Sequence, residues 1–247
     1  MTSHDRPSRF GFLDTNSPIA PWRLDRQAAE LAATAPRTIV DIGCGWGELI
    51  QRVTQAAPDA KAYGIDADQE LLERGRAGAA ERGIADRVEF VEYQGEAWTE
   101  PADVVVCVGA AHVFGTAAEA LEALFPLVNP GGVLLFGDGI WEREPTEADL
   151  AGMWPETTAA DWLELPDLVD AAFATGFRPL RVEAVERSEI DDFESGFLRD
   201  KETWLLANPG HPKADEIRAG ADQHRAWWLR GHRGPWGFAY LTLGRPV

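Results

Sequence analysis

The sequence predicts an α/β protein with a doubly wound, mainly parallel sheet. Between residues 38 and 136, short apolar segments rich in β-branched residues alternate five times with helical or loop segments. This alternation is typical of right-handed crossovers, which produce a parallel sheet covered by helices on both faces. A glycine-rich turn follows the first strand, at the sheet edge where such folds bind their ligands.

The elements up to residue 137 follow from these patterns in order. Residues 1–20 are polar and contain proline, and we expect an arm there. Pro21 suits the first turn of a helix, and the apolar residues after it recur on one face. The strands that follow are apolar runs typical of buried parallel strands. We predict strands at 38–42, 61–65, 87–93, 103–108 and 133–136, helices at 46–54, 68–80 and 116–127, and a turn at 129–132.

The regular alternation of predicted strands and helices ends after residue 137. Loop and short helix are predicted over 138–165, a helix over 165–174 and a sixth strand over 178–185. A charged, mostly helical segment at 189–230, broken at 208–210, precedes the last strand at 237–243. This insertion is expected to project from one end of the sheet, either as a substrate cap or as a solvated helical hairpin.

Composition and net charge exclude several classes of function. The 247 residues suit a single domain, and 23 Lys and Arg against 41 Asp and Glu give a net charge of −18. This acidity argues against non-specific binding of nucleic acid or anionic lipid. Cys44 and Cys107 are the only cysteines, which excludes a disulfide scaffold and a cysteine-rich metal site. Without a signal-like or membrane-spanning apolar run, we expect a cytoplasmic protein with no membrane partner.

The strongest site signal is the segment VDIGCGWGE at 40–48. Its glycines let the chain turn sharply and let a ligand approach the backbone closely. A dinucleotide fingerprint requires glycine at the sixth position from Gly43, where Glu48 stands, so a pyrophosphate on the helix is disfavoured. Asp41, two residues before Gly43, favours a ligand that carries a positive centre.

Asp66 supplies a second element at the end of the second strand. An acid in this place accepts both ribose hydroxyls of an unphosphorylated nucleoside in the geometry of NAD sites. The alternative role for it is to cap the following helix, but Asp68 is better placed for that.

Together these segments resemble the class I S-adenosylmethionine-dependent methyltransferases. The matching motifs are VDIGCGWGE, YGID ending at Asp66, VVVCVG, NPGGVLLFG and, in the final strand, WGFAYLTLGR. More narrowly, CVGAAHVFG, GDGIWEREPT and a Trp-containing helix before Asn208-Pro209 resemble a largely uncharacterised bacterial subfamily of small-molecule methyltransferases. The resemblance implies a seven-stranded Rossmann-like sheet with an antiparallel last strand and a helical cap inserted between strands six and seven. It divides the single domain 1–247 into an arm and lid helix (1–36), a cofactor-binding core (37–137) and substrate-recognition elements (138–178 and 188–235).

The resemblance also assigns roles around S-adenosylmethionine. Asp41 is expected near the methionine ammonium, Asp66 on the ribose and Ala67 against the adenine. The family usually has an Asp after strand three that meets the adenine amino group, and this chain has Gln94, Gly95 and Glu96 there. Either Gln94 or Glu96 substitutes for it. The other cofactor contacts are expected from Gly43, Cys44, Gly45, Val108 and Gly109.

Methyl transfer is an in-line displacement, so the protein mainly positions two reactants and excludes water. A base is needed only when the acceptor arrives protonated. His112, four residues after the fourth strand, is the candidate base, because histidine suits proton transfer near neutral pH. The alternative is that it orders its loop or binds the cofactor carboxylate.

Substrate recognition is expected after the fifth strand. Asp138 and Glu142 lie on the same rim and are predicted to orient the substrate, although Asp138 also suits a turn. Seven of the ten tryptophans follow residue 140. Of these, Trp141, Trp154 and Trp204 are predicted walls of a pocket or lid for a flat or cationic small molecule.

We therefore predict an S-adenosylmethionine-dependent enzyme that methylates an oxygen or nitrogen of a small molecule, acting as a monomer or homodimer without metal or nucleic acid. Rival functions are a non-methylating reaction such as a cyclisation, elimination or rearrangement, methylation of a peptide, and a binding module without catalysis. Arg9 and Phe10 belong either to an N-terminal lid over the cofactor or to a disordered arm.

Overall fold

A computed structural model describes residues 5–93 and 97–247. Seven strands form one mixed sheet in the order β3-β2-β1-β4-β5-β7-β6. The pairs among β1 to β5 are parallel, and β7 runs antiparallel to both β5 and β6. The strands are β1 (Thr38–Ile42), β2 (Lys61–Asp66), β3 (Val88–Glu92), β4 (Ala102–Val108), β5 (Val128–Trp141), β6 (Arg178–Ala184) and β7 (Trp236–Gly244). The predicted Rossmann-like sheet with an antiparallel last strand is confirmed.

Helices cover both faces of the sheet. They are α1 (Pro21–Ala33), α2 (Glu48–Ala56), α3 (Gln69–Glu81), α4 (Ala117–Leu124), α5 (Glu147–Gly152), α6 (Leu165–Thr175), α7 (Arg187–Ala207) and α8 (Ala214–Ala226). A π-helical turn, Trp227–His232, follows α8 directly. None of the helices in the described ranges is long and apolar enough to span a bilayer.

The alternation of side chains along each strand separates two apolar cores. Ile39 of β1 and Val104 of β4 pack with α1, α2 and α3 on one face, here called the α1 face. Val40 and Val105, the next residues along, pack with α4 and α6 on the opposite face, here called the α4 face. Because successive side chains point to opposite faces, Asp41 belongs to the α1 face.

The fifth strand is longer than predicted. It begins at Val128, whereas the sequence predicted a turn at 129–132 and a strand only from 133. Val128 pairs with Ala102 and Val133 with Val104, so the intervening residues form a bulge inside the strand. Gly131 has φ +79° and donates its N–H to the carbonyl of Arg245, which ties the bulge to the C-terminal residues. The residues at 129–132 therefore do bend the chain as predicted, but the bend lies within a strand and does not end it.

The insertion between β6 and β7 consists of α7, α8 and the π-helical turn. A buried carboxylate connects them, because Glu194 of α7 lies 2.7 Å from Nε2 of both His224 and His232. His232 in turn stacks on Trp154, with ring centroids 4.1 Å apart. These contacts pack the insertion onto the end of the sheet.

Candidate active site

The glycine loop forms a tight turn at the carboxyl end of β1. The N–H groups of Gly43 and Cys44 both donate to the Ile65 carbonyl, at 2.8 and 3.0 Å. Gly43 has φ +71°, and a Cβ there would lie 2.3 Å from that of Ala110. Gly45 has φ +57°, but a Cβ there would meet no atom of the described residues within 4 Å. Packing therefore requires glycine at 43, whereas the space beside Gly45 is open to a ligand.

Asp66 holds this loop from the end of β2. One carboxylate oxygen accepts the N–H of Gly45 at 2.8 Å, and the other accepts that of Asp68 at 2.8 Å. Asp68 caps α3 by accepting the N–H groups of Glu70 and Leu71, as predicted. A carboxylate oxygen accepts more than one hydrogen bond, so Asp66 retains capacity for two ligand hydroxyls.

Asp41 is a buried acid on the α1 face. Its side chain is 5% exposed, and no hydrogen bond to its carboxylate is found within the described residues. Burial and the nearby charge of Asp66 raise its pKa to about 8. Burial also raises the pKa of the Cys44 thiol, and the two carboxylates add to that effect. A cationic ligand group beside Asp41 would therefore be strongly favoured.

A cavity of about 540 Å³ extends along the α1 face from these residues. Its lining contains the predicted residues Asp41, Gly43, Cys44, Gly45, Asp66, Ala67, Val108, Gly109 and His112. Tyr93 lies at the β3 end of the cavity and Tyr240 of β7 at the other. Gln94, Gly95 and Glu96 lie outside the described residues.

Residues 8–18, here called the N-terminal strap, run across the cavity. Trp46 donates its Nε1–H to the carbonyl of Asp14 at 2.7 Å, and Arg74 donates to the carbonyls of Phe10 and Leu13. At the other side, Asp200 of α7 accepts from Ser8 and from the N–H of Gly11. Thr15, Asn16 and Ser17 then line the cavity. The strap thus connects the glycine loop, α3 and α7 above the predicted cofactor residues.

The first prediction concerns this strap. Asp200→Ala removes two of its hydrogen bonds, so we expect faster proteolysis near Phe10 and a 3- to 10-fold weaker affinity for S-adenosylhomocysteine, about 1 kcal/mol. Asp191→Ala is the matched control, because Asp191 lies on the same helix and pairs with Arg233 instead. Equal proteolysis and affinity in both variants would contradict a covering role for the strap.

The predicted substrate acids lie outside the cavity. Asp138 is on β5 between Phe136 and Ile140, so the alternation of the strand directs it to the α4 face, opposite the cavity. There it accepts the N–H of Gly139, and burial raises its pKa to about 6. Glu142 forms an ion pair with Arg187 at the start of α7. Neither is retained in the site that we propose.

The predicted tryptophan walls form core clusters instead. Trp141 is buried, donates to the Ala159 carbonyl and packs against Trp162 at 5.2 Å. Trp154 packs against Trp162 and Trp236, both at 6.0 Å. Trp204 is buried among apolar residues of α7 and α8. Among the described residues, none from 138–178 or 188–235 lines the cavity, and α7 acts on it only through the strap and α1.

Sequence reasoning missed several lining residues. Gln27 of α1, Tyr240 of β7 and Ser17 of the strap come from distant parts of the chain. The amphipathic pattern of α1 placed position 27 beside the core face, and a Gln among apolar neighbours was the available signal. Tyr93 directly follows β3 and was detectable from its position at the carboxyl end of a strand.

Comparison with known proteins agrees with this geometry. Residues 40–134 match a family model described as a methyltransferase domain. The uncharacterized protein YjhP of Escherichia coli is 31% identical over 184 residues, which cover 73% of each chain. A SAM-dependent methyltransferase from Geobacter sulfurreducens, solved with S-adenosyl-L-homocysteine, is 27% identical with a TM-score of 0.82, covering 94% of this chain and 93% of that one. One from Thiobacillus denitrificans, also solved with S-adenosyl-L-homocysteine, is 26% identical with a TM-score of 0.82, covering 93% of each chain.

Proposed function

The chain belongs to the class I S-adenosylmethionine-dependent methyltransferases, and on this premise we propose that it methylates an oxygen or nitrogen atom of a small molecule. The observation that carries this proposal is the extent of the cavity. It continues from the glycine loop past His112 to Tyr240. Its volume of about 540 Å³ is in the range typical of small-molecule sites. A second reactant therefore has a place beside the cofactor.

The residues fit the cofactor in three respects. Asp41 offers the methionine ammonium a buried carboxylate that has no hydrogen-bond partner among the described residues, and Asp66 offers its remaining lone pairs to the ribose. The open space beside Gly45 admits a ligand against the backbone. When bound, S-adenosylmethionine supplies a methyl group on a positively charged sulfur.

The chain's own contribution to the reaction is positioning and the removal of water. Val106 and Val108 form an apolar floor on β4, and the strap covers the opposite side. Such walls hold the acceptor in line and exclude bulk water from the displacement. His112 is exposed at the rim of the cavity, where we propose that its imidazole takes the proton of the acceptor.

The function is tested by mixing the protein with methyl-labelled S-adenosylmethionine and a bacterial extract separated by ultrafiltration. We expect label in the small-molecule filtrate and one S-adenosylhomocysteine released per turnover. Label only in the retained protein fraction would favour a peptide substrate. Turnover of the cofactor-loaded enzyme without release of S-adenosylhomocysteine would favour a non-methylating reaction.

A second prediction separates the two roles of His112. His112→Gln removes a general base, so we expect kcat to fall about 10²- to 10⁴-fold. Affinity for S-adenosylhomocysteine should change little, because the side chain is at the rim. A fall in cofactor affinity with an unaltered kcat would instead assign His112 to the cofactor carboxylate.

A further inference from the structure

Gln27 carries a buried side-chain amide with no hydrogen-bond partner in the described parts of the chain. The residue is 2% exposed, and both Oε1 and Nε2 are unpartnered. Most buried polar groups are hydrogen-bonded, because an unpaired one forfeits its contacts with water. Leu24, Ala28 and Leu31 on the same side of α1 pack into the core, so an apolar side chain would suit position 27. Gln27 therefore costs stability in the ligand-free protein.

The amide borders the cavity, toward the end distant from the cofactor residues. From Asp66 on β2 to Tyr240 on β7, the cavity crosses four strand spacings, or about 19 Å at ~4.8 Å each. The residues that fit the cofactor belong to β1, β2 and their loops. Helix α1 packs beside α2 and is tied to the β6 edge through Glu183. Gln27 thus lies above the strands between β1 and β6, where the acceptor would bind.

The helix that carries Gln27 is fixed at Arg23, one turn before it. Arg23, itself 4% exposed, donates Nε and Nη2 to the two carboxylate oxygens of Glu189, at 3.0 and 2.8 Å. Glu189 also accepts the N–H of Ala20 at 2.8 Å. This network fixes the first turn of α1 against α7. The amide is therefore presented from a rigid element, which lowers the entropic cost of binding a ligand.

The charges along the cavity restrict what this end can bind. The acidic residues among its described lining are Asp41, Glu48, Asp66 and Asp68, which belong to β1, β2 or the segments that directly follow these strands, at the cofactor end. No Lys or Arg is among the described residues that line the cavity. An anionic acceptor would find no lysine or arginine counter-charge on these walls. The hydroxyl of Tyr240 lies 3.2 Å from both Ser17 Oγ and the Pro18 carbonyl, so its proton is already directed to the strap. The amide of Gln27, by contrast, is a buried donor and acceptor with no partner among the described residues.

We propose that Gln27 determines acceptor specificity by binding an uncharged carboxamide or lactam edge of the small molecule. One edge of a side-chain amide presents the carbonyl and one of its two N–H donors in a plane, and an amide or lactam edge matches it with two hydrogen bonds. This inference rests on the proposed function, since it assigns the acceptor end of the same cavity. Gln27 is a positioning residue and takes no part in moving the proton.

The test uses the full chain saturated with S-adenosylhomocysteine and three probes of similar shape: benzamide, benzoate and benzylamine. Ligand-observed NMR should detect binding of benzamide, weaker binding of benzylamine and none of benzoate. Gln27→Met, which keeps the length of the side chain, should weaken benzamide binding about tenfold or more and leave the Kd of S-adenosylhomocysteine unchanged. No binding of benzamide, equal binding of benzoate, or an unchanged benzamide affinity in the variant would overturn the proposal.

A matched pair of variants tests the structural premise. Gln51 is also a buried glutamine on the α1 face, but its amide bonds to the Trp46 carbonyl and to Arg82. Gln27→Met should raise the melting temperature of the ligand-free protein, and Gln51→Met should lower it. A lower melting temperature for Gln27→Met, or a loss of S-adenosylhomocysteine affinity, would assign Gln27 to packing or to the cofactor. Absence of S-adenosylhomocysteine binding in the unaltered protein would instead refute the proposed function.

Discussion

Asp66→Ala is expected to weaken the binding of S-adenosylhomocysteine by up to about 3 kcal/mol, or on the order of 100-fold. Two losses add in this variant. The ribose loses a charged acceptor, and the N–H of Gly45 loses the carboxylate that holds it at 2.8 Å. The loop would then have to be ordered by the ligand itself, at a cost in affinity. Calorimetric titration with S-adenosylhomocysteine measures the change directly.

Asp103→Ala is the matched control for this experiment. Asp103 also accepts backbone N–H groups, those of Arg37 and Thr38, but at the amino end of β1. Its loss should lower the melting temperature without changing the affinity. Asp66→Asn keeps an oxygen acceptor and should fall between the wild type and Asp66→Ala. If Asp66→Ala and Asp103→Ala bind equally well, Asp66 does not contact the ligand.

The fold was largely predictable because its signals are local. Each strand of the core is a short apolar run with a helix or loop after it, and the parallel arrangement follows from that alternation. The extent of β5 was not predictable, since the pairing of Val128 with Ala102 occurs across the bulge. Asn129-Pro130-Gly131-Gly132 has turn chemistry, and only the neighbouring strand decides whether such a segment ends a strand or bends it.

The cofactor end of the site was predictable for the same reason. Its groups lie within a few residues of strand ends, where parallel strands bring them together. The acceptor end is lined by Gln27, Tyr240 and the strap, which are far apart in the chain. The abundance of tryptophan after residue 140 was misleading as a sign of a pocket, because a large aromatic ring packs equally well in a core. Trp154 packs against His232 and Trp236 and is not among the residues that line the cavity.

Asp41→Asn is expected to separate stability from ligand binding. The pKa of Asp41 in the folded protein is about 8, above its ordinary value of about 3.9. The folded state therefore holds the proton more tightly than the unfolded chain. The stability that protonated Asp41 contributes to the folded protein is fully present below about pH 4 and is lost as the pH rises to about 8. The Asn variant should melt like the wild type near pH 4 and be more stable, by on the order of a few kcal/mol, near pH 8.

Ligand binding should show the opposite preference. A cationic ammonium beside Asp41 favours the ionised carboxylate, so the bound ligand must lower the pKa of this group. The affinity of the wild type for S-adenosylhomocysteine should then rise with pH, by up to about tenfold per unit between about pH 6 and about pH 8. Asp41→Asn should bind more weakly at the upper end of this range and show a flat profile. A variant that keeps both the affinity and the pH dependence of the wild type would remove Asp41 from the ammonium site.

The two halves of this prediction have a common physical cause. A buried carboxylate without a partner destabilises the ligand-free protein, and the same desolvation strengthens its attraction to a cation that enters the cavity. Neutralising the group should therefore increase stability and decrease affinity in one substitution. Gln27 at the acceptor end is an uncharged example: its amide, which has no partner among the described residues, lowers the stability of the ligand-free protein and is available to a ligand. Asp41 and Gln27 both lower the stability of the ligand-free protein. Polar groups placed in this way suit a cavity that binds two reactants.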